Sequence, residues 1–249
     1  PEHTGFAHLF EHLMFGGSAH IPDYDTPLQL AGGENNAWTN NDITNYYLTV
    51  PKPNVETAFW LESDRMLELA FSEQSLEVQR GVVMEEFKQR CLNQPYGDVG
   101  HLFRPLAFRV HPYRWPTIGK ELSHIEQATL DEVKSFFYRF YAPNNAVLAV
   151  TGNISWDETV KLTEKWFAPI PRRDVPVSQL PQEPEQTQER RLTVERNVPL
   201  DALFMGYHMC SREGADYYAF DILSDILSNG RSSRLNRRLV QEQNLFSGI

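Results

Sequence analysis

Cysteine is almost missing from this chain, which holds only Cys91 and Cys210. Two thiols so far apart in sequence give neither a disulfide framework nor a cysteine-based zinc site. Lys/Arg-rich tracts are missing too. The balance runs the other way, with 23 basic and 33 acidic residues and a net charge of −10. Nucleic acid is therefore not an expected partner, and the negative field would favour basic substrates only weakly. No apolar run approaches the roughly 20 residues of a membrane span, and no signal segment is visible. The Gly-x-Ser-x-Gly elbow of serine hydrolases is absent. What remains is a chain of 249 residues, 41% hydrophobic and 22% charged. That is the composition of a soluble globular protein with material for one large domain or two smaller ones. The chain opens on Pro1 with a helix almost at once and stops soon after another helix. Both ends are expected to continue in a longer protein, with an N-terminal strand upstream.

Against those absences stands one concentrated cluster, His8-Leu9-Phe10-Glu11-His12. It lies in the apolar run Gly5 to Phe15, bounded by Thr4 and by Gly16-Gly17. The run suits one buried helix of about three turns. At about 100° per residue, His12 falls about 40° from His8 and Glu11 about 60° to the other side; Phe6, Leu9, Phe10, Leu13 and Met14 lie about 90° or more away. Three titratable side chains share one face. Two imidazoles one turn apart can hold a single Zn²⁺. The Glu between them sits too close in sequence to be a comfortable third ligand, and is placed to act as general base toward water. The order H-x-x-E-H is the reverse of the commoner H-E-x-x-H. The competing reading is a buried helix with paired core histidines, which must bear the cost of burying polar groups without partners.

Along the rest of the chain, Asn35–Thr39 and Thr44–Val50 read as two strands around a turn at Asn40-Asn41-Asp42. Helices are expected at 54–69, 73–92 and 98–109, and from the Thr129-x-x-Glu132 capping box to Tyr141. Another is expected from Ser155 to Phe167. A strand is expected over 146–151. Prolines with Gln and Glu mark 169–188 as a polar linker. Beyond it, strands are expected at 191–197 and 202–208, and helices at about 215–228 and 233–243. The division is therefore 1–168 for the motif-bearing subdomain, 169–188 for the linker, and 189–249 for the start of a second α+β subdomain. The fold class is α+β, a mixed sheet with helices packed on one face.

Two histidines leave a zinc site one protein ligand short of three. The helix from Glu73 offers Glu77, Glu85 and Glu86. With Leu76, Val83 and Phe87 as its buried stripe, Glu86 falls at the stripe's edge, about 80° from its centre, and Glu85 about 180° away, toward water. Geometry lets Glu86 approach a buried site. On pattern alone, Glu85-Glu86 is equally a solvated acidic pair. Gln79 lies on the same flank as Glu86.

Several segments taken together resemble one family: His8-x-x-Glu11-His12, Asn36-Ala37-Trp38-Thr39, Thr44-Asn45-Tyr46-Tyr47, Arg80 to Glu86, Ala142-Pro143-Asn144-Asn145 with the strand after it, and Ser232-Ser233-Arg234-Leu235. The chain looks like a member of the insulinase/pitrilysin and mitochondrial processing peptidase family of zinc peptidases, and the likeness spans nearly all of it. The resemblance implies Zn²⁺ as cofactor, His8, His12 and Glu86 as its ligands, and Glu11 as base. It implies a peptide substrate added as an edge strand along Asn36, Ala37, Trp38 and Thr39; by itself, Trp38 could instead be an ordinary core aromatic. It implies a second homologous unit as partner. One departure is Gln79, where the family often has a second Glu supporting the site; a Gln can hydrogen-bond there but adds no charge. The other histidines, His3, His20, His101, His111, His124 and His208, lack ligand-like spacing and are expected to be structural or exposed. The expected activity is zinc-dependent endopeptidase. The alternatives are a subunit of the same fold that binds peptide without cutting it, and a metal hydrolase of unrelated fold.

Overall fold

The computed structural model describes residues 3–249. The chain divides into two compact units, one running to Leu200 and one from Asp201 to Ile249. The fold is α+β, rich in helix. In the first unit the order is α1 (Phe6–Leu13), α2 (Asp25–Leu30), β1 (Glu34–Thr39), β2 (Thr44–Thr49), α3 (Val55–Leu67), α4 (Glu73–Phe87), α5 (Val99–Ala107), α6 (Ser123–Glu126), α7 (Leu130–Phe140) and α8 (Trp156–Phe167). The second unit holds α9 (Tyr217–Ser228) and a π-helical segment, Asn236–Glu242.

The first unit's core forms where the apolar faces of four helices meet. Leu9 and Phe10 of α1, Val83 of α4, Ile125 of α6 and Phe137 of α7 all have no exposed surface and belong to one cluster with Phe6, Leu13, Leu76 and Val133. Local chemistry sets where these helices begin. Ser72 caps α4 by accepting from Ser75 N at 3.0 Å. Thr129 and Glu132 close a reciprocal capping box at α7, and Ser155 caps α8, each satisfying N–H groups that have no partner within the helix. α1 has no side-chain cap. It starts from Gly5 at φ 87°, packed so closely that an added Cβ would sit 2.9 Å from Ile118 O.

The expected helix over 73–92 is present with a change of winding. α4 ends at Phe87, and Lys88–Leu92 continues as a π turn. The two expected strands around 40–42 form an antiparallel hairpin in the register Glu34↔Thr49 through Thr39↔Thr44. Asn40 makes its turn, its Oδ1 accepting from Asp42 N at 2.8 Å and Ile43 N at 2.9 Å. Among the described residues this two-stranded antiparallel hairpin is the whole of the sheet; the larger mixed sheet is not formed. Among the described residues the expected strands at 146–151, 191–197 and 202–208 do not form as strands, and most of their side chains face solvent, Val147 being 95% exposed. A strand exists only where a neighbour satisfies its backbone, and β-branched composition cannot supply that neighbour.

The stretch expected to be a linker lies inside the first unit, because side chains tie it down. Arg173 donates to Leu67 O at 3.0 Å, and Glu183 accepts from the backbone N–H of Arg109, Val110 and His111 at 2.6, 2.9 and 2.9 Å. Among the described residues no helix is long and apolar enough to cross a membrane.

Candidate metal centre

α1 turns its apolar residues into the core, and that rotation aims His8 and His12 at α4, the helix packed against it. The two rings lie with centroids 4.9 Å apart and nearly perpendicular. Nε2 of His8 is 3.6 Å and Nε2 of His12 is 3.3 Å from Oε2 of Glu86. One donor atom from each of the three residues lies within 4.8 Å of the others. Glu85 points away and pairs with Lys88 at 2.5 Å, 63% exposed. The helical phase that separates Glu86 from Glu85 is thus present in the folded chain. Glu86 uses its other oxygen, Oε1, to bind Arg90 Nη1 at 2.7 Å.

Electrostatics favour a cation at this point. Burial holds His8 below its ordinary value of 6.5, opposed by the charge of Glu86 and reinforced by His12. The ring is therefore neutral near pH 7 and offers a lone pair. Two imidazole nitrogens and a carboxylate oxygen facing one another form a His₂Glu donor set, a combination that zinc accepts with one position left open. A metal-ligating histidine usually donates its second ring N–H to a carboxylate, a carbonyl or water. His8 Nδ1 is buried and makes no hydrogen bond, so Gln79 does not serve it by direct contact. The donor set fits the metal.

Glu11 leaves α1 on the same side. Its Oε2 accepts from Thr39 Oγ1 at 2.6 Å, which ties the carboxylate to β1. Along β1 the burial alternates, so Asn36 and Trp38 face outward and Ala37 and Thr39 inward. Trp38 is 42% exposed and is not a core aromatic. Asn36 Oδ1 accepts the backbone N–H of Ala37 at 2.8 Å.

Sequence reasoning missed what lies beneath. Arg65 is 2% exposed, holds Glu62 through Nη2 at 2.6 Å, and sits 4.5–5.1 Å from the ring centres of Phe15, Tyr24 and Tyr46. Tyr46 and Tyr141 meet hydroxyl to hydroxyl at 2.7 Å. Burial raises both, Tyr46 far above the ordinary 10 and Tyr141 to about 12, so both stay protonated. The Arg90 contact was readable as an i, i+4 pair. The meeting of Arg65 with three aromatic rings had no local signal. Five of the remaining histidines serve structure: His20 bonds Asp64 at 2.7 Å, His124 bonds Thr4 at 2.7 Å, His101 bonds Gly119 O at 2.9 Å, His111 accepts from Tyr113 N at 3.2 Å, and His3 faces Glu132 at 3.3 Å.

Comparison with known proteins bears on the family and the fold. Residues 1–102 match a family model described as insulinase (peptidase family M16), and residues 127–249 match one described as the peptidase M16 inactive domain. Among curated relatives, zinc protease PqqE of Helicobacter pylori is 31% identical over 249 residues, covering 98% of this chain and 56% of that protein. The chain thus spans a little over half the length of that relative. Among solved structures, a protease from Helicobacter pylori superposes with a TM-score of 0.84 at 29% identity, over 99% of this chain and 60% of that one. A peptidase M16 inactive domain from Pseudomonas fluorescens superposes with a TM-score of 0.79 at 18% identity, over 98% of this chain and 60% of that one, and speaks for the fold alone. With both family models falling in the same group and together reaching most of its length, the chain belongs to the insulinase family of peptidases, M16.

Proposed function

We propose that this chain carries the metal-binding part of a zinc endopeptidase that hydrolyses extended peptides. The observation that supports this most is the convergence of His8 Nε2 and His12 Nε2 on Glu86 Oε2, 3.6 and 3.3 Å away. His8, His12 and Glu86 would hold the ion. When bound, Zn²⁺ supplies Lewis-acid polarisation and makes a water acidic enough to lose its proton near neutral pH. Glu11 takes that proton and returns it to the leaving amine. The outer edge of β1, at Asn36, Ala37, Trp38 and Thr39, receives the peptide as an added strand, with main-chain hydrogen bonds giving affinity regardless of sequence. Asn36 must release the Ala37 N–H for that pairing. Gln79, on α4 seven residues before Glu86, would support the site without adding charge. A second unit of the same fold completes the substrate chamber.

A second reading is a subunit that binds peptide without cutting it, favoured by the inactive-domain description of the model matching residues 127–249. The two separate on one experiment. Zinc content should be about one per chain and be lost in His8→Ala and Glu86→Ala but kept in Glu85→Ala. Glu11→Gln should keep zinc and lose peptide cleavage. Cleavage by Glu11→Gln at the parent rate rejects the base assignment. Parent protein that holds zinc and cuts no peptide, with its second unit supplied, favours the binding subunit.

A further inference from the structure

Thr39 stands at the end of β1, facing inward, and its hydroxyl donates to Glu11 Oε2 at 2.6 Å. That length belongs to charge-assisted hydrogen bonds, about twice as strong as neutral ones. A hydroxyl has one proton to give. The hairpin register sets Thr44 opposite Thr39, with the two Oγ1 atoms 3.1 Å apart. With the Thr39 proton committed to Glu11, Thr44 is left to donate to Thr39. The last cross-strand pair of the hairpin is thus a short hydroxyl chain ending on the carboxylate.

The turn that carries this pair is braced from outside the hairpin. Asn40 closes it, as described above. Tyr113 Oη donates to Asp42 Oδ1 at 2.6 Å, and Arg104 Nη1 to Asn41 Oδ1 at 3.0 Å. The Thr39 hydroxyl is therefore held by a rigid support, and Glu11 is held by the hydroxyl.

We infer that Thr39 is a positioning residue for Glu11: its hydroxyl occupies Oε2 and leaves Oε1 as the oxygen that takes the proton. The inference rests on the general-base reading of Glu11 given above and deepens it. A carboxylate with neither oxygen held samples several rotamers, and small misplacements at a reacting centre cost rate steeply. Because Thr39 belongs to the strand proposed to receive the peptide, substrate docking and base placement share one element.

The test compares Thr39→Val, Thr39→Ser and the parent for zinc content, kcat, KM and the crystal structure of the zinc-free protein. In Thr39→Val, kcat falls about 10- to 100-fold while KM stays within about threefold. Zinc remains at the parent's content, and the Glu11 carboxylate leaves its parent position. Thr39→Ser returns kcat to within about threefold of the parent, because it keeps the donor. Should the valine variant not fold, Thr39→Ala takes its place. The inference is overturned by a valine variant with the parent's kcat, by a serine variant as slow as the valine one, or by a Glu11 carboxylate unmoved in the zinc-free valine structure. If the parent cleaves no peptide, the peptidase reading fails by itself, and the Glu11 position still decides the role of Thr39.

Discussion

α1 and α9 are both apolar helices, and they end in opposite circumstances. In α1, Leu9 and Phe10 have no exposed surface. In α9 no residue is buried, and Ile222 and Leu223 are 60% and 47% exposed. Helices in proteins draw most of their stability from packing rather than propensity. The buried helix can thus fix side chains to a fraction of an ångström, which a metal centre requires. A helix whose residues find no core within its own unit has no such precision, and no candidate ligand cluster lies on it among the described residues.

The contrast can be broken most directly by one change made in both places. Leu9→Ala should lower stability by about 2–5 kcal/mol, because it leaves a cavity in a dense core. Leu223→Ala should cost less than about 1 kcal/mol, because the side chain gives up little burial. Urea denaturation followed for each variant measures both, and equal losses would end the distinction. Native-state hydrogen exchange sharpens it residue by residue. Amides of α1 and α4 should exchange only through global opening, and those of α9 through cheaper local opening.

Hydroxyl groups give a smaller test of the same difference. Thr129 Oγ1 accepts from Glu132 N in the α7 capping box. Thr129→Ala should cost about 1 kcal/mol. In the second unit, Ser233 Oγ is buried without a hydrogen bond. Ser233→Ala should be neutral or slightly stabilising, because it removes an unsatisfied polar atom. Thermal melts of the two variants should move in different directions or by clearly different amounts.

The smallest effect concerns the tied-down stretch of the first unit. Partial desolvation pushes Glu183 up, but the backbone N–H groups of His111, Arg109 and Val110 and the charge of Arg190 outweigh it and hold the carboxyl at about 2 against an ordinary 4.5. A depressed value stabilises the fold above the unfolded state's titration and loses that contribution as pH falls. The Glu183 anchor should therefore be complete at pH 7 and weaken between about 4.5 and about 2. The parent and Glu183→Gln should differ in melting temperature at pH 7 and converge at the acid end. A constant difference throughout would place the effect elsewhere.

How much of this was legible in the sequence differs by feature. The faces were readable, because helical phase is local: His8 and His12 share one by spacing, and the stripe of Leu76, Val83 and Phe87 sets Glu86 apart from Glu85. The pattern alone left Glu85-Glu86 equally a solvated acidic pair, and the resemblance was needed to join Glu86 to the histidines. The caps at Ser72, Thr129 and Ser155 were readable for the same reason. The strand at 146–151 was misread because pairing is a property of two segments. The ties that hold 169–188 had no local signal, because its anchors, Arg173 and Glu183, reach backbone groups far away in sequence. The Thr39 to Glu11 bond joins two recognised residues, yet no spacing rule connects them.

By itself the sequence determined which side chains each helix and strand presents together, since the 3.6- and 2-residue periods follow from backbone geometry alone. That was enough to put two imidazoles and the Glu11 carboxylate on one face and the Glu86 carboxylate at the edge of another. Only the tertiary structure decided that these faces meet, that Thr39 closes on Glu11, and that Arg65 lies buried against three aromatic rings. Such meetings depend on how whole elements pack to bury apolar surface, and that sum runs over residues too distant for any local pattern to carry.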